Sequence, residues 1–194
     1  MPNLPISQLP QSTTLQGDEL FVNVQGGVTK YTTLDNIIGH HSAHLSCYST
    51  QSQALPTSGS IQPVTFTDVW TQDRVSLVEN TKITFQDAGV YQFNFVAQVT
   101  NSDNAVHNTW FWIKYNGNNF PNSTTQITLN PRKNSDAPSA QLMTVNIIGR
   151  AQNDNDFIEL YWTGNSTTIQ LTESPAFGEI PETPSIIASI SRIG

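Results

Sequence analysis

In residues 90–100 the side chains alternate between two faces: Tyr91, Phe93, Phe95, Ala97 and Val99 fall on one, and Gln92, Asn94 and Gln98 on the other. Successive side chains of a strand point to opposite sides, so this period predicts a β-strand burying one aromatic face. In residues 106–115 Trp110 and Trp112 share one face, while Phe111, Ile113 and Tyr115 share the opposite one. A strand with large apolar groups on both faces is expected to be covered on both sides. Residues 141–149 and 157–162 are predicted strands joined as antiparallel neighbours by the polar loop Asn153-Asp154-Asn155-Asp156, forming a long hairpin over residues 140–162. Residues 167–171 and an Ile-rich run at 185–193 complete the set, with a Pro-bearing stretch at 175–184 between them. No helical period is sustained after residue 45. Eight to ten short strands separated by Asn, Asp, Gly and Pro predict an all-β sandwich over residues 64–194.

The N-terminal residues 1–45 are patterned differently. Ile6, Leu9, Leu15, Leu20, Val22, Val24, Leu34, Ile37 and Ile38 are thinly spread among turn formers, too little apolar surface for an independent core. Two short runs, 20–24 and 28–32, flank Gln25-Gly26-Gly27, where a Gly pair supplies the positive φ of a tight hairpin turn. Thr33 is placed to cap a helical turn ended by Gly39. Residues 46–63, rich in Ser, Gln, Thr, Pro and Gly, read as a linker or an entry strand.

Composition narrows the function. Only 12% of residues are charged, and 15 acidic against 8 basic side chains give a net charge of -7. That balance offers no electrostatic footprint for nucleic acid or anionic lipid. Met1-Pro2-Asn3-Leu4-Pro5 has neither a basic nor an apolar leader region, and no apolar run approaches the roughly 20 residues of a spanning helix. No membrane insertion is expected. Cys47 stands alone, so packing, not an intrachain disulfide, must hold the fold. Both Asn-x-Ser/Thr sites, at Asn122 and Asn165, read as polar turns.

The segment Ala88-Gly89-Val90-Tyr91-Gln92-Phe93, preceded by Ile83-Thr84-Phe85, resembles the Gly-x-Tyr-x-Phe signature of the C1q and tumour necrosis factor superfamily. The later features follow that family's order, ending in a closing strand at 185–193. The resemblance implies a jelly-roll β-sandwich that assembles as a compact homotrimer around an aromatic-rich axis. Tyr91, Phe93 and Phe95 carry over to that interface, or else line the sandwich interior; Trp110 and Trp112 divide between core packing and subunit contact in the same way. In the arm, Ile6-Ser7-Gln8-Leu9-Pro10, Leu15-Gln16-Gly17-Asp18-Glu19-Leu20 and Val24-Gln25-Gly26-Gly27-Val28-Thr29-Lys30 resemble an N-terminal module of tailed-phage virion proteins. This implies anchoring through Ile6, Leu9, Leu20, Val22, Val24, Gly26 and Gly27 to a major capsid or tail protein, with the following domain displayed on the virion surface. The expected role is a capsid decoration protein. The rival is a tail-fibre tip or receptor-binding knob, with Trp70, Tyr161 and Trp162 stacking on host glycans.

Catalytic patterns are missing from the sequence. It contains no Gly-x-Ser-x-Gly elbow and no phosphate-binding Gly loop, and a non-enzymatic protein without cofactor is expected. His40-His41-x-x-His44 lacks a complete ligand set and reads as linker histidines unless a trimer axis gathers three copies. The acidic loop at 153–156 lacks the glycine and terminal glutamate of an EF-hand. Glu173, Glu179 and Glu182 invite a glycosidase reading, but nothing in the sequence sets two of them at catalytic separation.

Overall fold

The computed structural model describes residues 20–33, 43–134 and 137–194. The chain divides into two units, residues 1–41 and 42–194. In the first, β1 (Leu20–Gln25) and β2 (Val28–Thr33) form an antiparallel hairpin in which Gln25 pairs with Val28. Gly26 and Gly27 fill the two-residue turn with φ of 60° and 76°. Positive φ at both central positions is the type I′ geometry whose twist suits a hairpin, and glycine adopts it without a Cβ penalty. The predicted helical turn after Thr33 lies outside the described residues.

The second unit is a two-sheet antiparallel sandwich. One sheet holds β3 (His44–Ser49), β4 (Gln53–Ala54), β6 (Asp68–Asp73), β9 (Gly89–Asn101), β13 (Ser139–Ala151), β15 (Ile169–Leu171) and β16 (Ile186–Arg192). The other holds β5 (Gln62–Pro63), β7 (Val75–Val78), β8 (Lys82–Phe85), β10 (His107–Tyr115), β11 (Asn118–Asn119), β12 (Thr125–Leu129) and β14 (Phe157–Gly164). The principal strands run β3-β16-β9-β13 in the first sheet and β8-β14-β10-β12 in the second. The first and last principal strands are thus neighbours, and the connections pass repeatedly from sheet to sheet. That order is a jelly roll.

The core forms where the inner faces meet. Phe85 on β8 packs its ring 4.4 Å from that of Tyr91 and 5.8 Å from that of Phe93, while Phe111 and Trp162 stack at 6.1 Å. The Tyr91 hydroxyl, carried into this core, donates to the Asp87 carbonyl at 2.9 Å, which satisfies a polar group that burial would otherwise penalise. Asp87 in turn receives Nε and Nη2 of Arg74, each at 2.5 Å, a bidentate clamp across the turn before β9.

Three sequence expectations are corrected. Residues 46–63 follow the entry-strand reading and not the linker one, and the domain begins before residue 64: β3 sits between β6 and β16, and Leu45, Cys47 and Ser49 point inward. Its alternation was hidden because two inward residues, Cys47 and Ser49, are not strongly apolar. Residues 140–162 are not a hairpin. β13 pairs along its whole length with β9, whereas β14 pairs with β10, so the 152–156 loop crosses between sheets. β10, finally, is buried on one face: Phe111 and Ile113 are enclosed, and Trp110 and Trp112 lie half-buried on the outside.

Candidate interaction surfaces

The outer face of the first sheet is built in rows fixed by register. Tyr48, Ile187, Val96 and Thr144 make one row, Ser46, Ser189, Asn94 and Asn146 the next, and His44, Ser191, Gln92 and Ile148 a third. Among the outward side chains of β3, β16, β9 and β13, Arg150 alone carries a permanent charge. Leu142 and Ile148 on β13 are 69% and 62% exposed. At the edge, Trp70 stacks on Tyr48 with ring centroids 4.5 Å apart. A broad face of amides, hydroxyls and apolar groups can be buried without the cost of desolvating charge.

The outer face of the second sheet is aromatic but internally partnered. Trp110 donates its indole N–H to Gln126 Oε1 at 3.0 Å, and Trp112 donates to Asn119 Oδ1 at 2.9 Å. Lys114 Nζ sits 3.9 Å from the centre of the Tyr161 ring, a cation–π contact that also shields one ring face. Trp162 is buried in the core and Trp70 lies on the opposite sheet. Trp70, Tyr161 and Trp162 therefore do not form one sugar-stacking surface.

Between β15 and β16 the chain leaves the sandwich as a finger that the sequence pattern did not reveal. Ser174 and Thr183 exchange two backbone hydrogen bonds of 2.9 and 2.8 Å, and Phe177 and Ile180 exchange two of 3.0 Å. Gly178, at φ 60°, stands first in the two-residue turn, as a type II′ hairpin requires. Phe177 and Ile180, opposite one another and on the same face of this ribbon, are 80% and 63% exposed.

The site residues expected from the sequence are distributed as follows. Tyr91, Phe93 and Phe95 point into the sandwich, with exposures of 0%, 4% and 0%. Of the two readings left open for them, the interior one fits and the interface one does not: rings enclosed by their own chain present no surface to another subunit. In the arm, Leu20, Val22, Val24, Gly26 and Gly27 all lie on the hairpin, and Val22 faces Tyr31 across it with exposures of 74% and 72%. Ile6 and Leu9 lie outside the described residues, as do His40 and His41. His44 begins β3 and its Nε2 lies 3.0 Å from Thr71 Oγ1. No group of three metal-ligating side chains occurs among the described residues. The acidic loop is a structural lock: Asp156 accepts from the Tyr115 hydroxyl, from Asn116 Nδ2 at 2.7 Å and from the Asn153 N–H at 2.7 Å. Glu179 and Glu182 project from the finger, and Glu173 lies at its root.

Comparison with known proteins adds little to this picture. No family model matches the chain, and no curated protein matches it. Among solved structures it is similar to murine APRIL, crystallised at pH 5.0, with 8% identity and a TM-score of 0.46 over 77% of this chain and 98% of that one. The jelly-roll assignment rests on the strand order itself.

Proposed function

We propose that this chain is a non-enzymatic virion structural protein of a tailed phage, a homotrimeric capsid decoration protein that self-associates through the outer face of the first sheet and is anchored by its N-terminal arm. The observation that carries the self-association is the near absence of permanent charge from a four-strand face in a chain of net charge -7. Interface centres are depleted in charge and hold well-packed apolar groups, and exposed Leu142 and Ile148 supply such groups here. The anchoring reading draws on the arm hairpin, whose directly opposed Val22 and Tyr31 are exposed. A two-stranded ribbon gains stability by adding to a partner surface.

Two measurements test this. Sedimentation equilibrium of the purified chain should give three times the monomer mass, and Ile148→Glu, which places three carboxylates in the proposed interface, should leave the monomer folded and the trimer dissociated. A wild-type monomer at all concentrations would refute the assembly. Quantitative mass spectrometry of purified virions should then find hundreds of copies in simple ratio to the major capsid protein. A few dozen copies would move the protein to the tail and favour a receptor-binding role.

A further inference from the structure

The finger and the sheet face share one end of the sandwich. Gln98, on β9, donates Nε2 to the Pro184 carbonyl at 3.0 Å, while its backbone N–H bonds Ser185 and its carbonyl accepts from the Thr172 N–H. Both roots of the finger are thereby fastened to residue 98. The same Gln98 lines an open depression whose other walls are Ala140, Gln141 and Leu142. Register places Leu142 opposite Gln98 and Ala140 opposite Thr100, so three of the four walls stand on the outer face, whose one permanent charge is Arg150. Each chain thus carries a projecting apolar tip and a hollow walled by Ala140 and Leu142 with two glutamines.

The tip does not fill its own hollow, since Phe177 is 80% exposed and Leu142 69% exposed within the same chain. It is also preset. Pro175, Pro181 and Pro184 limit the backbone freedom of the finger, and two pairs of backbone hydrogen bonds hold its ribbon, which lowers the entropy lost when it seats.

Charge points the same way. Residues 172–184 carry Glu173, Glu179 and Glu182 and no basic side chain, whereas residues 130–138, leading into β13, carry Arg132 and Lys133 against one acid, Asp136. These two are a quarter of all the basic residues in a chain with eight. The segment is held at that end, where the Arg132 N–H donates to the Asp103 carbonyl at 2.7 Å and Ser139 Oγ donates to the Asn130 carbonyl at 2.5 Å. A finger with three acids and a segment of net charge +1 are complementary between copies.

We propose that the Phe177–Ile180 tip of each subunit inserts into the Gln98–Ala140–Leu142 hollow of the next, with Glu179 and Glu182 facing the neighbour's Arg132 and Lys133. A tip and a hollow at different places on one chain make a heterologous contact, which closes into a ring if the rotation permits. This assignment rests on the self-association reading above and adds the residues that lock it.

The test uses the full chain. Phe177→Cys and Leu142→Cys are made as separate proteins, mixed, allowed to exchange subunits and treated with a short bis-maleimide. Cys47 is buried and stays out of the reaction. A cross-linked species of twice the chain mass, formed in the mixture beyond the level in either protein alone, is the expected result, since it cannot arise within one chain. In parallel, Phe177→Ser with Ile180→Ser should raise the trimer dissociation constant at least tenfold while leaving the melting profile of the monomer unchanged. A wild-type trimer with no mixed cross-link, and with unchanged dissociation in the double variant, would overturn the finger assignment and leave the sheet-face reading standing. A monomeric wild type would remove both. A cross-link within the single chain of a Phe177→Cys, Leu142→Cys double variant, with none between chains, would show the finger folding onto its own hollow and overturn the proposal.

Discussion

The Tyr115 hydroxyl donates to the Asp156 carboxylate, tying the end of β10 to the loop that carries the chain from one sheet to the other. The same hydroxyl accepts from the Gln152 N–H at 2.9 Å, and Asn116 Oδ1 accepts from the Phe157 N–H at 2.9 Å. Burial of Asp156 works against its charge, but the bonds from Tyr115, Asn116 and the loop backbone outweigh it and bring its pKa down to about 2. A folded-state pKa below the unfolded value means stability that is present above roughly pH 4 and is lost as pH falls through about 2. Asp156→Asn should therefore flatten the dependence of unfolding free energy on pH within that window, measured by urea titration. Tyr115→Phe should cost about 1–2 kcal/mol at neutral pH, because it leaves Asp156 and the Gln152 N–H each short of a partner. Equal slopes for wild type and Asp156→Asn would refute the assignment.

Cys47 faces the core from β3 with no exposure, and burial pushes its thiol up to about 12. Thiolate is the reactive form. A maleimide or a disulfide reagent at pH 8 should leave the native chain unmodified and label it stoichiometrically in denaturant, with the native labelling rate following global unfolding.

Gly149 lies on β13 directly above Phe93: a Cβ built there would stand 2.8 Å from Phe93 Cε2. Phe93 is itself confined by Phe85 at 5.8 Å. Gly149→Ala should destabilise by about 1–3 kcal/mol through overpacking, read as a lower denaturation midpoint. A smaller ring at position 93 should restore part of it, so the double variant Gly149→Ala with Phe93→Leu should lose less than the sum of the single changes.

Every strand of the sandwich lies within residues 44–192. Removing residues 1–41 should leave the melting temperature of the sandwich close to that of the full chain, since every strand and core residue of the sandwich lies outside the deleted segment. The truncated chain should still trimerise but fail to bind virions stripped of this protein, measured by cosedimentation. Retained binding would assign the anchor to the sandwich.

The sequence alone determined what depends on local period and turn chemistry. The inward set of β9 from Tyr91 to Val99, the Gly26–Gly27 hairpin and the closing strand at the C-terminus were all legible, because side-chain alternation and positive φ are properties of neighbouring residues. Tertiary structure decided everything that depends on which strands meet. The sequence joined β13 to β14 as a hairpin, yet the sheet order sends them to different layers, and strand pairing is a non-local choice governed by how two inner faces fill one core. It left Tyr91, Phe93 and Phe95 open between interior and interface, since alternation shows that a face is apolar but not what covers it; the packing of Phe85 on Tyr91 and Phe93, within one shared core, assigned them to the interior. The finger at 174–183 was invisible for the converse reason. Its prolines read as loop, and only the fold, by pinning both roots to Gln98, turns Phe177 and Ile180 outward as a paired tip.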